Sequence, residues 1–318
     1  MAHAYTPGLK VLQEVKVVKE RRLPLKGDVV VKSGQTVSPE DIVATTDLPG
    51  NVRMVNVANL LNIDAPDIRD VMLLKEGDVV QKDGLLAETK GIFGMFKSQA
   101  NSLIDGTIEA ISEVTGQVTL REAPIPVEID AYVSGVVKEV FPEEGVTVET
   151  DAVFIQGIFG IGGENRGSLE VVVESREDEL TVDIITADHA GKILVGGSFI
   201  SLEAYKKALS MNVAGVVAGG FNYHDLEDVL GYTLGVAITG SEDLAASLII
   251  TEGYGNIRMG LRTFDLLREH NGKFASVNGA TQIRAGVIRP EIVIPLSPDE
   301  LQDDHQEIDS SEGIQAAS

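Results

Sequence analysis

The chain has 318 residues, 43% of them hydrophobic, and a mass of 33.9 kDa, enough for two or three small domains with cores of their own. Lysine and arginine number 26 against 49 aspartates and glutamates, a net charge of −23; holding a polyanion needs clustered cations, so nucleic-acid binding is not expected. There is no cysteine, which excludes disulfides, thiol nucleophiles and Cys-held zinc or iron–sulfur clusters, and the five histidines show no ligand spacing, so neither metal nor cofactor is expected.

The opening stretch "MAHAYTPGLKVLQEVKVV" lacks the apolar run of a signal peptide. The longest apolar stretch, near "DAVFIQGIFGIGG", is too short to span a bilayer, and the expected location is the cytoplasm. The first 175 residues or so read as β. Leu25 to Ala44, Leu74 to Lys90, Ile104 to Leu120 and Val133 to Glu149 each hold a turn, a short Val/Ile-rich strand, a second Gly turn and another strand, as in a compact sandwich or barrel. "GDVV" recurs at Gly27 and Gly77, and "DGTI…TGQV" is matched by "SGVV…EGVT", which implies internal duplication. Asn56 to Val71 reads as a short helical insert, and Pro124 and Pro126 mark a joint between β segments. In "SLEVVVE", Leu169, Val171 and Val173 alternate with Glu170 and Glu174, and the charged run from Glu174 reads as a surface linker.

From about Asp183 strands and helices alternate, which argues a small parallel or mixed sheet with helices on it. Helices are expected at "SLEAYKKALSM", at "HDLEDVLG" with Gly231 as the stop, and at "RMGLRTFDLLREHNG". Strands are expected at "GKILVGG", "AGVVAGG", "LGVAITG" and "SLIITEG". Asn278-Gly279 reads as a tight hairpin turn, and the acidic stretch from Ser297 as a disordered tail.

The segments "LLKEGDVVQKDGLLAE" and "SLIDGTIEAISEVTGQVTL", within Leu73 to Leu120 and with a fainter copy at Leu25 to Ala44, resemble the barrel-sandwich hybrid fold. That is the fold of biotinyl and lipoyl carrier domains, of the N-terminal module of Rnf-type C subunits and of the A subunit of the sodium-pumping quinone reductase. The expected fold is therefore α+β and multidomain: a barrel-sandwich hybrid region with a helical insert (residues 1–122), a second β segment (123–180), a small α/β domain with a closing β hairpin (181–296) and the tail (297–318). Carrier domains present a modifiable lysine at a hairpin tip; Lys90 and Lys97 stand there but lack the flanking pattern.

Candidate sites are few. The Gly-rich run Gly157 to Gly167 follows a strand, as phosphate loops do, but no helix follows it, and Arg166 is its one cation. Phe93, Met95, Phe96 and Phe159 read as apolar loop tips for a partner or a second copy. Loops at the carboxyl ends of the α/β strands form the best ligand site: Gly196, Gly197, Ser198, Gly219, Gly220, Thr239, Gly240, Ser241, Glu242, Thr251 and Glu252, joined by His224 and the cation Arg284. The spacing of His224 after Gly220 is similar to that of phosphohistidine swivel domains, although Tyr223 stands where those have a small residue. No Ser-His-Asp order or paired acid/base set is present. The expected function is a non-catalytic scaffold or adaptor acting through protein–protein contacts or self-association; the alternatives are a small-ligand sensor at the strand ends and a carrier or phosphohistidine component.

Overall fold

The computed structural model describes residues 8–89, 97–231, 244–282 and 288–301. The protein is mostly β, with several sheets and few helices. Its contacts divide it into two units: unit 1 is Met1–Arg22, Asp28–Ala44 and Ile129–Ser318, and unit 2 is Leu23–Gly27 and Thr45–Glu128. In chain order the strands begin with β1 (Val11–Arg22), β2 (Asp28–Val29), β3 (Thr36–Val37) and β4 (Ile42–Leu48). Unit 2 adds β5 (Val52–Asn56), the short helices α1 (Val57–Leu61) and α2 (Ile68–Val71), then β6 (Val79–Val80), β7 (Leu85–Glu88), β8 (Gln99–Asn101), β9 (Gly106–Ser112) and β10 (Gln117–Arg121). β11 (Ile125–Asp130) returns the chain to unit 1. There β12 (Gly135–Phe141), β13 (Gly145–Gln156), β14 (Phe159–Ile161), β15 (Glu164–Val171), β16 (Glu179–Leu180), β17 (Ile193–Val195) and β18 (Phe199–Ile200) follow. The rest is α3 (Leu202–Ser210), β19 (Gly215–Phe221), α4 (Tyr223–Leu230), β20 (Ser247–Tyr254), α5 (Leu261–Glu269), β21 (Phe274–Asn278) and β22 (Glu291–Pro295).

Two sets of segments repeat one hydrogen-bond plan. In unit 1 the Gly34 N–H donates to Val137 C=O (2.7 Å) and the Val137 N–H to Gln35 C=O (2.9 Å). In unit 2 Gly77 donates to Ile108 (2.8 Å) and Ile108 to Asp78 (3.0 Å). Gly34 and Gly77 have φ of 82° and 91°, which a side chain would strain. The next turn also repeats: Asp41 N–H bonds Ser38 C=O, and Gly84 N–H bonds Gln81 C=O. β3 meets β12 as Val37 opposite Gly135, and β6 meets β9 as Val80 opposite Gly106. Each of β12 and β9 then carries a bulge, at Lys138 and at Glu109. Finally Ala131 N–H donates to Asp41 C=O (2.9 Å) as Ser102 N–H donates to Gly84 C=O (2.8 Å).

The repeated plan is nested rather than tandem. Where unit 2 passes from β7 to β8 through a hairpin, unit 1 passes from β4 to β11 through all of Thr45–Glu128. This differs from the division expected from the sequence. Residues 28–44 belong with the chain beyond residue 129 because strand pairing and turn bonds tie them there, and no division falls at 180. Asp83, at φ 63°, rather than Gly84, takes the left-handed position in its turn.

Unit 2 has one core, in which Val55, Val118, Ile111, Leu120, Ile108, Val80 and Leu86 meet Leu61 and Ile68 of the two short helices. Unit 1 has three clusters. One joins β1 to β12 and β13 through Val15, Val17, Val137, Val146 and Val148. The other two lie about the mixed sheet ordered β14-β20-β19-β17-β15-β21-β22-β13. In that sheet β15, β17, β19 and β20 are mutually parallel, as the strand–helix alternation requires. Tyr205 of α3 and Leu226 of α4 belong to one cluster, and Phe264 and Leu267 of α5 to the other. Burying each such side chain stabilises the fold by roughly 1.5–3 kcal/mol.

Two further expectations are corrected. Asn278-Gly279 is not a tight turn: β21 and β22 pair with Asn278 opposite Glu291, so residues 279–290 separate the paired positions along the chain. Gly279 is there because a Cβ would lie 2.0 Å from the Ile161 carbonyl oxygen. The charged run from Glu174 is not a linker either, since it folds over the ends of β17 and β19, as follows. The expected strand "LGVAITG" lies outside the described residues, as does most of the acidic tail.

Candidate functional site

The strand-end glycines lie together, and their neighbours are backbone. A Cβ on Gly219 would stand 2.0 Å from the Ile257 carbonyl oxygen, and one on Gly220 1.8 Å from that of Gly255. On Gly197 it would meet the Asp178 and Ser175 carbonyls, and on Gly196 the side chain of Leu180. Glycine is required for close approach of two covering segments, 175–179 and 255–260. The polar groups serve the same closure. Ser198 is buried and its hydroxyl donates to Glu177 C=O (2.7 Å), while its N–H bonds Asp178 C=O (2.8 Å). Glu252 Oε1 accepts from Gly260 N–H (2.7 Å), ahead of α5. The Arg176 guanidinium donates to Met259 C=O (3.2 Å), and Met259 N–H donates back to Arg176 C=O (3.3 Å). Buried Thr251 bonds Ala218 C=O (3.4 Å). The described part of the expected ligand site is thus filled by the protein's own chain. Thr239, Gly240, Ser241, Glu242 and Arg284 lie outside the described residues.

His224 is exposed in the first turn of α4, and the cap is Asn222, whose Oδ1 accepts from His224 N–H (3.1 Å). Its ring lies 5.7 Å from that of Tyr223, which stacks edge-on against Tyr254 (5.1 Å). Burial, with Tyr223 adding to it, pushes the Tyr254 hydroxyl up to about 12. Phe159 is not a loop tip: it is 4% exposed in β14, packed on Tyr254 at 5.5 Å, because β14 pairs with β20 and turns it into the core. Phe93, Met95 and Phe96 lie outside the described residues, as does Lys90; the Lys97 ammonium rests on Glu88 (2.5 Å). The Gly-rich run is β14, the bend after it with Gly162 at φ 80°, and the start of β15.

The sequence reading missed two features. The first is an ionic cluster in unit 1. Arg21 donates to Glu164 through both terminal nitrogens (2.7 and 2.8 Å), to Asp130 Oδ1 (3.0 Å) and to Asp130 C=O (2.8 Å). Arg166 reaches the other Asp130 oxygen and the Pro39 carbonyl. Lys19 pairs with Glu291 (2.6 Å), which also accepts from the Tyr132 hydroxyl (3.2 Å). Tyr132 is fully buried at φ 65°; burial first, then Glu291 and Glu164, push its hydroxyl well above the ordinary tyrosine value. Burial works against the Arg21 charge, but Glu164 and Asp130 outweigh it and raise its pKa. Three cations and three carboxylates interlock here, which holds strands together and leaves no charge in excess. Wide separation in sequence, from Lys19 to Glu291, hid it.

The second is a face of unit 2. In the sheet ordered β5-β10-β9-β6, the register sets Val52, Arg121, Thr107 and Val79 in one row, and Met54, Thr119 and Ala110 in the next. These point away from the core residues Val55, Val118, Leu120 and Ile108. Val79 is 75% exposed, Met54 62% and Val52 40%. The charged pair at this face, Arg121 and Glu109, is mutually neutralised at 2.7 Å. The signal is the alternation of Val52 and Met54 with Arg53 and Val55 in "VRMVN", a segment the sequence reading passed over.

No family model matches the chain, and neither a curated protein nor a solved structure is significantly similar to it. Among the described residues, no group of three or more His, Asp or Glu side chains could hold a metal ion, and no helix is long and apolar enough to cross a membrane.

Proposed function

We propose that the protein is a non-catalytic adaptor that works by protein–protein contact, and that unit 2 is its contact module. The observation that carries this reading is the apolar sheet face of Val52, Met54, Ala110 and Val79 on a chain of net charge −23. Depletion of charge and enrichment in methionine mark the centres of interfaces, and exposed apolar patches mark partner sites. The internal use of Ser198, Thr251 and Glu252 favours this reading over a ligand sensor at the strand ends. We also propose that both nested copies are barrel-sandwich hybrids, a reading supported by their repeated turns, bulges and long-range bonds.

The test is chemical cross-linking in the cells that make the protein, followed by peptide mapping. Cross-links from unit 2 to one other polypeptide, lost on Val79→Glu, are expected. Recovery of the chain uncross-linked to any protein, together with turnover of a metabolite by the purified chain, would refute the adaptor reading.

A further inference from the structure

β5 is an edge strand: it pairs with β10, and among the described residues nothing pairs with its other side. Which backbone groups it offers can be derived. The Glu122 N–H donates to Asn51 C=O (2.9 Å), so Asn51 turns its main chain toward the β10 side. The register from Val52 opposite Arg121 to Asn56 opposite Gln117 is unbroken. Hydrogen-bonded and non-bonded pairs alternate in an antiparallel ladder, so Arg53 and Val55 also bond inward, while Val52 and Met54 turn N–H and C=O to the open edge. Two donors and two acceptors therefore stand in a row beside two exposed apolar side chains. Natural edges are ordinarily blunted by bulges, proline or charged side chains; β5 runs in unbroken register without bulge or proline, and its one charge is Arg53.

Between those two residues Arg53 points to the opposite face, since it sits across from buried Leu120. It is exposed, and among the described residues it forms no ion pair.

Resting on the adaptor reading, we propose that β5 receives an extended segment of a partner protein as an added strand, in which an acidic residue facing Arg53 is flanked by apolar residues beside Val52 and Met54. The main-chain groups would supply the pairing and the alternating side chains the selectivity. In the register that pairs β5 about its own centre, charge opposes a second copy of this chain. Two β5 strands paired antiparallel with Val52 beside Met54 would set the two Arg53 side chains opposite one another, and like charges so placed destabilise a sheet.

The experiment uses the full chain and a labelled, capped peptide that alternates valine and threonine, with a central aspartate between two valines; a second peptide has lysine at the centre. Fluorescence anisotropy should show saturable binding of the acidic peptide and binding of the lysine peptide weaker by about tenfold or more. Met54→Pro removes an N–H that faces the open edge and is not bonded to β10, so the fold should melt as before while binding is lost. Arg53→Glu should reverse the preference between the two peptides. Equal binding of both peptides, binding unaffected by Met54→Pro, or no saturation up to roughly 1 mM peptide would overturn the proposal. So would a dimer of the protein that Met54→Pro dissociates, which would assign the edge to a second copy. If Met54→Pro leaves intact the cellular cross-links of unit 2, the edge proposal fails and the adaptor reading survives; if no cross-links form at all, the adaptor reading itself fails.

Discussion

The guanidinium of Arg21 donates to both the carboxylate (3.0 Å) and the carbonyl (2.8 Å) of Asp130, joining the end of β1, where the chain first leaves unit 1, to the residue at which β11 brings it back. Arg166 and the Tyr132 N–H (3.1 Å) bond the same carboxylate. Asp130→Ala would take the carboxylate from two partly buried cations, leaving Arg21 on Glu164 and the residue-130 carbonyl, and Arg166 on the Pro39 carbonyl. Breaking a fully buried pair costs about 3–5 kcal/mol, and the partial exposure and remaining partners here reduce that to about 1–2 kcal/mol. Urea unfolding would measure it, and limited proteolysis should cut near residue 130 faster in the variant. A loss below about 0.5 kcal/mol would mean the cluster is a solvated surface network.

Alkaline pH should weaken the fold through tyrosine. Tyr132 and Tyr254 have native pKa values raised by burial, the latter to about 12. A group raised in the folded state contributes stability that is fully present below its unfolded value, about 10, and lost as pH rises through the folded value. Ultraviolet titration of the folded protein should show Tyr254 ionising late, near 12, and Tyr132 above the ordinary tyrosine range. Tyr132→Phe should cost about 0.5–1.5 kcal/mol for the hydroxyl bond to Glu291. Ordinary titration of all six tyrosines in the folded protein would contradict this.

On the acid side, Glu300 is the group to follow. The Lys273 ammonium, then the Ser297 hydroxyl and N–H, hold its carboxyl down at about 2. Its contribution to stability is present above the unfolded value, about 4.3, and is lost as pH falls toward 2. Glu300→Gln should flatten the stability profile in that window and leave its slope near neutral pH unchanged. A carbon-13 titration of Glu300 with an ordinary midpoint would rule this out.

Gly219→Ala should destabilise by about 1–3 kcal/mol or more, the cost of overpacking, because its Cβ would fall on the Ile257 carbonyl. Thermal shift against nucleotides and common metabolites should leave the melting temperature of the wild-type chain unmoved. A ligand that raises it, with the rise abolished by Ser198→Ala, would reinstate the strand ends as a binding site.

Local features of the fold were legible where one residue decides one turn. Gly34 and Gly77 announce their left-handed turns, and Gly231 ends α4 as its position implies. "GDVV" misled, since the structure matches Gly77 with Gly34 and not with Gly27, but the repeat was visible in the paired glycines Gly106 and Gly135. Its nesting was not, because the pairing of Val37 with Gly135 crosses the whole of unit 2 and leaves no trace in spacing. At the strand ends, Gly197, Gly219 and Gly220 were correctly brought together but misread: glycine that admits a ligand and glycine that admits another backbone look alike until the covering segment is seen. Phe159 failed for a related reason, since its strand pairing with β20 lies far along the chain.

Light scattering on the full chain, affinity-purified gently from the cells that make it, tests the contact function most directly. A particle heavier than the 33.9 kDa of one chain, holding a second polypeptide in fixed ratio and releasing it on Met54→Asp, is the predicted result. A lone chain of 33.9 kDa at every concentration, or a complex indifferent to that substitution, would contradict it.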